Sequence, residues 1–147
     1  MPLSSEHTRV LTAVLDEIIP PSEDGRMPGA GEAGVVAHIE AQLARSPELQ
    51  PAIEQGLAAL RDVTGGGFAA LAPEARREAL DSLAASQPGF VPMLAFQTIT
   101  GYYQLPRVLE GLGLEPRPPH PKGYELEAGD LSLLDPVRER GPRYREV

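Results

Sequence analysis

The sequence predicts an all-α protein: an irregular bundle of about five to six helices, followed by an extended, proline-rich C-terminal tail. Three observations support this fold class. Apolar residues recur three and four positions apart in successive segments, proline or glycine separates these segments, and no segment shows sustained strand-like alternation. The chain has 147 residues, which is long enough for one domain with its own hydrophobic core.

The first predicted helix has the clearest periodicity. Ser4 or Ser5 is suited to its N-cap, because a hydroxyl side chain can accept a hydrogen bond from a backbone N–H of the first turn. Pro20 and Pro21 must end it, since proline disfavours helical backbone in the residue before it and lacks a backbone N–H. Its apolar residues share one face: Val10, Leu11, Val14, Leu15, Ile18 and Ile19.

Turn-forming residues separate the next two predicted helices. A loop from Ser22 to Gly31 leads into a short second helix, whose apolar residues are Val35, Val36, Ile39 and Leu43. Ser46 followed by Pro47 is the pattern of an N-cap with proline at the first helical position, so we expect a third helix to begin there. The glycine run 65–67 ends this third helix.

The second half of the bundle is predicted from Pro73 onward. Helix four begins at Pro73 and is expected to expose Arg76, Arg77, Glu78 and Asp81. Helix five runs from about Phe90 to Tyr103 and is apolar on most of its circumference, which is typical of a central helix surrounded by others. A short sixth helix, from Pro106 to Leu112, completes the bundle.

The composition changes after residue 112, which divides the chain into a helical domain (1–112) and a tail (113–147). The helical domain has 7 basic and 14 acidic residues, a net charge of −7, whereas the tail has 6 basic and 7 acidic residues, a net charge of −1. The tail contains six prolines and almost no helical period, yet it keeps tyrosine and leucine residues that could act as anchors. This pattern favours docking over simple solvation, and the basic end (137–147) could lie on the acidic body of this same chain or on an acidic partner.

Composition also excludes several functions. A net charge of −8 without a basic patch argues against nucleic acid as a ligand, and a chain without cysteine forms no disulfide or thiolate metal site. The uncharged stretch from Ser82 to Pro106 is interrupted by proline and glycine, so we interpret it as a buried helix and not a membrane span. Neither a signal peptide nor a twin-arginine leader is evident, which favours a cytoplasmic protein, with export in complex with a partner as the alternative.

No motif for catalysis, cofactor binding or metal binding stands out. His7, His38 and His120 are isolated from one another and lack zinc-ligand spacing. The glycine clusters lack the lysine or the preceding strand that a phosphate-binding loop requires. The acidic pairs 16–17 and 23–24 are interpreted as solvated carboxylates. We therefore expect no catalytic, cofactor-binding or metal-binding residue in this chain.

The segment from Thr98 to Pro106 is less easily explained by core packing alone. Gly101 inside a predicted buried helix costs about 1 kcal/mol relative to alanine, so close backbone approach is expected there. Tyr102 and Tyr103 are candidates either for an internal polar contact or for an interface, because buried tyrosine hydroxyls need hydrogen-bond partners. The segment from His120 to Tyr124 leaves a similar choice between a simple turn and a partner-binding loop.

Several short motifs, in their order and spacing, resemble the gluconate 2-dehydrogenase subunit 3 family over about residues 8 to 125. They are Ile18-Ile19-Pro20, Pro28-Gly29-Ala30, Gly34-Val35, Phe68-Ala69-Ala70-Leu71 and Thr100-Gly101-Tyr102-Tyr103. The resemblance implies a small accessory subunit without catalytic residues. Its partner would be a large FAD-dependent oxidoreductase of the glucose-methanol-choline class, which acts on sugars, sugar acids, glycosides or related alcohols and holds both the FAD and the catalytic base.

The hypothesis is therefore a non-catalytic subunit of a heterodimer that binds and stabilises this flavoprotein. The expected partner-binding residues are Gly101, Tyr102, Tyr103, His120, Tyr124, Arg138, Arg140, Arg143 and Tyr144. Two alternatives remain open at this point. One is a homo-oligomeric structural protein whose chains exchange tails, and the other is a small stand-alone sugar-modifying enzyme that uses Tyr102, Tyr103, His120 or a buried carboxylate as acid and base.

Overall fold

The computed structural model describes residues 3–117 and 128–141, and the chain divides into two units, residues 1–116 and 117–147. In the described part of the first unit, the helical body, there are six α-helices and no strands. They are α1 (Ser5–Ile18), α2 (Val36–Arg45), α3 (Gln50–Thr64), α4 (Pro73–Ser86), α5 (Phe90–Tyr102) and α6 (Pro106–Gly111). The predicted all-α bundle is confirmed.

The first helix begins and ends as its sequence predicts. The Ser4 side chain accepts a hydrogen bond from the backbone N–H of His7 at 3.1 Å, which satisfies one of the free donors at the start of α1. At the other end Ile19 leaves the helical conformation immediately before Pro20. Leu11, Val14 and Leu15 form the buried face of α1.

The connection between α2 and α3 differs from the prediction at one point. Ser46 makes no side-chain capping bond, and residues Pro47–Leu49 form a turn of 3₁₀-helix before α3 begins at Gln50. The end of α3 is as predicted, because Gly65 adopts a left-handed conformation (φ 61°) and its N–H bonds to the carbonyl of Arg61. A residue with a Cβ would be strained in that conformation.

The hydrophobic core lies among all six helices of the body, together with the loop before α2 and the 3₁₀ turn Phe68–Ala70. Its largest fully buried side chains are Tyr102, Phe68, Leu11, Leu15, Ile39, Ile53, Leu60, Leu83, Leu94, Val14, Val35 and Val108. Helix α5 contributes Phe90, Leu94, Thr98 and Tyr102 to this core and packs against α1, α2, α3 and α4. The inner face of α5 therefore has a fixed position in the body.

Two expectations about exposure are wrong. Arg76 is only partly exposed, because its guanidinium lies 3.4 Å from Glu17 on α1 and donates to the carbonyl of Ala69 at 2.7 Å. Helix α5 is not surrounded on all sides, since Phe96 is 67% exposed and Ile99 is 49% exposed. Apolar composition alone could not reveal that one face of α5 lacks a covering helix.

The second unit contains a short helical segment within the proline-rich tail. A 3₁₀ turn (Leu131–Leu134) continues into α7 (Asp135–Glu139). Asp130 caps it by accepting hydrogen bonds from the backbone N–H and the hydroxyl of Ser132, and these bonds hold the pKa of Asp130 below its usual value. Every side chain from 128 to 141 is exposed. The structure thus adds a capped helix to a tail expected to be extended.

Over the residues that the structure describes, no helix combines the length and the apolar character needed to cross a bilayer.

Candidate partner-binding surface

Tyr102 connects the end of α5 to the loop after α1. Its side chain is 2% exposed, and its hydroxyl donates a hydrogen bond of 2.8 Å to the carbonyl of Pro28. Burial raises the pKa of the Tyr102 phenol above its usual value, and the neighbouring Tyr103 raises it further. The Tyr102 hydroxyl therefore stays protonated at neutral pH and available as a donor.

The loop that receives this bond is also held from α1. The Asp16 carboxylate accepts hydrogen bonds from the backbone N–H groups of Gly31 at 2.7 Å and Glu32 at 3.2 Å. Ala30 is fully buried, and its N–H donates to the carbonyl of Ile19 at 2.9 Å. Three of the short motifs, around residues 18–20, 28–30 and 100–103, consequently meet at one place in the fold.

At Gly101, α5 lies close against a side chain of α2. A Cβ atom placed on Gly101 would lie 2.8 Å from Cγ of His38 and 2.9 Å from its Cβ. The Nε2 atom of His38 is buried and has no hydrogen-bond partner within the described residues. The expectation of close backbone approach at Gly101 is therefore correct, and the neighbour is the His38 side chain.

These positions revise the predicted site. Gly101 and Tyr102 face the interior, so their direct partners belong to this same chain, and Tyr102 takes the internal polar contact that the sequence left as one of two alternatives. Tyr103 is 49% exposed and packs edge-to-face on Tyr102, with ring centroids 5.3 Å apart. Of the three, Tyr103 is the residue that can contact a partner from the surface.

Tyr103 continues an apolar row on the outer face of α5. Pro92, Phe96, Ile99 and Tyr103 follow one another at intervals of four, three and four residues, and all four are exposed. We call this row the α5 stripe. The sequence shows the spacing of these residues but does not show that they face solvent, because the inner face of α5 is equally apolar.

The predicted tail residues fall partly inside the described chain. Arg138 lies on α7 with its guanidinium 3.0 Å from Asp135, and Arg140 is exposed immediately after this helix. The other four predicted contacts, His120, Tyr124, Arg143 and Tyr144, lie outside the described residues. Partner contact by the tail remains a prediction.

Sequence reasoning missed the roles of the first acidic pair. The sequence predicts solvated carboxylates at Asp16 and Glu17. In the structure Asp16 accepts a hydrogen bond from the Gly31 N–H, and Glu17 pairs with Arg76 at 3.4 Å and Arg77 at 3.9 Å. The pair stands at the end of a helix that precedes a glycine-containing loop. This arrangement weakly indicates a carboxylate that accepts hydrogen bonds from backbone N–H groups.

A small cleft lies between the start of α1 and the end of α3. It is lined by Glu6, His7, Val10, Leu57, Arg61, Thr64, Gly66 and Phe68, and its free volume is about 20 Å³. This is room for about one water molecule. In the part of the chain that the structure describes, no cluster of three or more His, Cys, Asp or Glu side chains is arranged to hold a metal ion.

The described part of the body is a small helical bundle that exposes an apolar row on α5. The family model described as gluconate 2-dehydrogenase subunit 3 matches residues 5–114, and the chain belongs to that family. The family description names a subunit of a dehydrogenase. A search of curated proteins and a search of solved structures found no match.

Proposed function

We propose that this chain is the non-catalytic small subunit of a dehydrogenase complex, in which it binds and stabilises a large FAD-dependent oxidoreductase of the glucose-methanol-choline class. The large subunit acts on sugars, sugar acids, glycosides or related alcohols. The observation that carries the proposal is the family match over residues 5–114, since the family is one of dehydrogenase subunits. We further propose that the complex is cytoplasmic.

In this proposal the flavin and the catalytic base belong to the large subunit. The small subunit acts by mass action, because a protein that binds the folded form of another shifts the folding equilibrium of its partner toward that form. The expected benefit is a larger fraction of large subunit that is folded and loaded with FAD.

The tail supplies one part of the contact. Leu131, Leu133, Leu134 and Val137 are exposed apolar side chains on the capped segment, and Arg138 and Arg140 stand beside them. A capped helix presents such residues in a defined geometry, which lowers the entropy lost on binding. We include His120, Tyr124, Arg143 and Tyr144 of the tail as further contacts.

Co-expression with a glucose-methanol-choline oxidoreductase chosen from the same genome as the candidate large subunit tests the proposal. The full chain and a chain lacking residues 114–147 are each purified by an affinity tag, and the eluate is analysed by gel and by its visible absorption spectrum. We expect the full chain to co-elute with a yellow, flavin-loaded large subunit and the shortened chain to retain much less of it. If both chains retain the same amount of large subunit, the proposed role of the tail is refuted and the rest of the proposal is not.

A large subunit expressed without this chain provides the matched comparison for stabilisation. We expect it to yield less soluble, flavin-loaded protein than the co-expressed form. If the full chain elutes colourless and alone, the accessory function is refuted. Sedimentation and turnover of sugars by the isolated chain would then separate a homo-oligomeric protein from a small enzyme.

A further inference from the structure

The α5 stripe is a continuous apolar surface without a covering element in the helical body. Phe96 is 67% exposed and Ile99 and Tyr103 are each 49% exposed. The buried residues of α5, such as Leu94 and Tyr102, lie on the opposite side of the same helix. From Pro92 to Tyr103 the stripe extends about 16 Å along the helix axis, at 1.5 Å per residue.

The chain segment that carries the stripe is uncharged. No Asp, Glu, Lys or Arg occurs from Ser82 to Pro106, and the polar neighbours on α5 are Gln97, Thr100 and Gln104. Centres of protein–protein interfaces are likewise depleted of charge and enriched in aromatic residues. The composition of this face therefore matches the centre of an interface and differs from the charged outer surface of α4.

The stripe is also held in a fixed geometry from inside. Tyr102 is bonded to the loop at Pro28, and Tyr103 packs edge-to-face on the Tyr102 ring. At Gly101 the helix lies directly against His38 of α2. A preorganised apolar face loses little conformational entropy when it binds, so its burial contributes more fully to affinity.

The charge of the body indicates which occupant suits this face. Through residue 112 the chain carries 14 acidic and 7 basic residues, a net charge of −7. Two copies joined at the stripe would bring two acidic bodies together, which opposes association. A different protein with an apolar patch bordered by basic residues would be attracted instead.

We propose that the α5 stripe is the docking face of the body for the large dehydrogenase subunit, which presents to it an apolar patch with a basic border. This inference rests on the proposed function and assigns the contact to a surface within the matched residues 5–114. Phe96 and Ile99 are its central anchors, and Tyr103 extends it toward the end of α5. The tail then provides a second contact with the large subunit. The two contacts are covalently linked because they belong to one chain.

The test compares matched double variants of the full chain. Phe96→Gln with Ile99→Gln removes the stripe, whereas Val63→Gln with Leu112→Gln removes two side chains that are 50% and 49% exposed elsewhere in the body. Affinity for the purified large subunit identified by co-elution is measured by titration. We expect the stripe variant to bind at least thirtyfold more weakly and the control variant to bind within threefold of the natural chain.

Each outcome is decisive. Equal binding by the natural chain and the stripe variant would overturn the docking face while leaving the accessory function intact. Absence of binding by the natural chain would refute the accessory function, and this inference with it. Sedimentation that shows a dimer of the natural chain, dissociated by the stripe substitutions, would assign the face to a second copy instead.

A second measurement does not depend on weakened binding. A photo-crosslinking amino acid is placed at position 96 in one full-length chain and at position 63 in another. We expect a covalent adduct with the large subunit from position 96 and none from position 63. An adduct from position 63 alone would overturn the proposal.

Discussion

The hydroxyl of Tyr102 donates a hydrogen bond to the carbonyl of Pro28, 74 residues earlier in the chain. This bond joins the end of α5 to the loop that the Asp16 carboxylate holds from α1. The position of Tyr103 and of the α5 stripe therefore depends on contacts that reach back to the first helix.

Replacing Tyr102 by phenylalanine tests this bond. The substitution leaves the Pro28 carbonyl buried without its donor, so we expect a loss of about 1–3 kcal/mol in the free energy of unfolding. Tyr103→Phe, at the exposed neighbour, should change stability by less than about 0.5 kcal/mol. Chemical denaturation measures the stability of both variants. Equal stability losses would show that the hydrogen bond to Pro28 makes no specific contribution to stability.

Gly101→Ala should destabilise the body despite the better helix propensity of alanine. The new Cβ meets His38 Cγ at 2.8 Å, and such overpacking costs about 1–3 kcal/mol, against a gain of about 1 kcal/mol from propensity. In the background of His38→Gly, which removes the His38 Cβ at 2.9 Å as well as the ring, the same change should cost much less. Thermal unfolding of the natural chain, the two single variants and the double variant gives the coupling free energy between positions 38 and 101. Strictly additive changes in stability would contradict the contact.

Asp16→Ala should loosen the loop at residues 28–34. The substitution removes the carboxylate that accepts hydrogen bonds from the Gly31 and Glu32 N–H groups. We therefore expect the free energy of unfolding to fall by about 1–3 kcal/mol. Asp16→Asn keeps an amide oxygen and should cost less. Asp62→Ala, on the exposed side of α3, is the control, and a comparable loss there would refute a specific role for Asp16.

The carboxyl of Asp24 should titrate at unusually low pH. The Ser22 hydroxyl, followed by the backbone N–H and guanidinium of Arg26, lowers its pKa from 3.8 to about 2. Because the pKa is depressed in the folded state, the contribution to stability is present above pH 3.8 and is lost as pH falls toward 2. Carbon-13 NMR titration should give this pKa for Asp24 in the natural chain and a higher pKa in the Ser22→Ala variant. An unchanged pKa in that variant would exclude the Ser22 hydroxyl as the cause.

Local patterns predicted the helices because their causes are local. The apolar row from Val10 to Ile18 and the stop at Pro20 define α1, and Gly65 ends α3 by adopting a left-handed backbone. Ser46 failed as a cap because residues Pro47–Leu49 form a 3₁₀ turn, a local alternative with similar sequence preferences. The family was likewise evident from short motifs, since each belongs to one turn or helix end.

Other features depend on contacts between distant segments. Asp16 appeared solvated because its acceptor role requires the loop 29–32 to fold back onto α1. Arg76 appeared exposed because its partner Glu17 lies 59 residues earlier. No local pattern predicts such pairs, since either side chain alone is compatible with solvent.

The sequence by itself determined the all-helical class, most helix boundaries and the uncharged apolar character of α5. Only the tertiary structure decided that α5 buries Leu94 and Tyr102 and exposes Phe96 and Ile99. The reason is physical: a helix that is apolar on nearly all sides has no amphipathic preference of its own. Its orientation is set by contacts with other helices, here the approach of Gly101 to His38 and the bond from Tyr102 to Pro28.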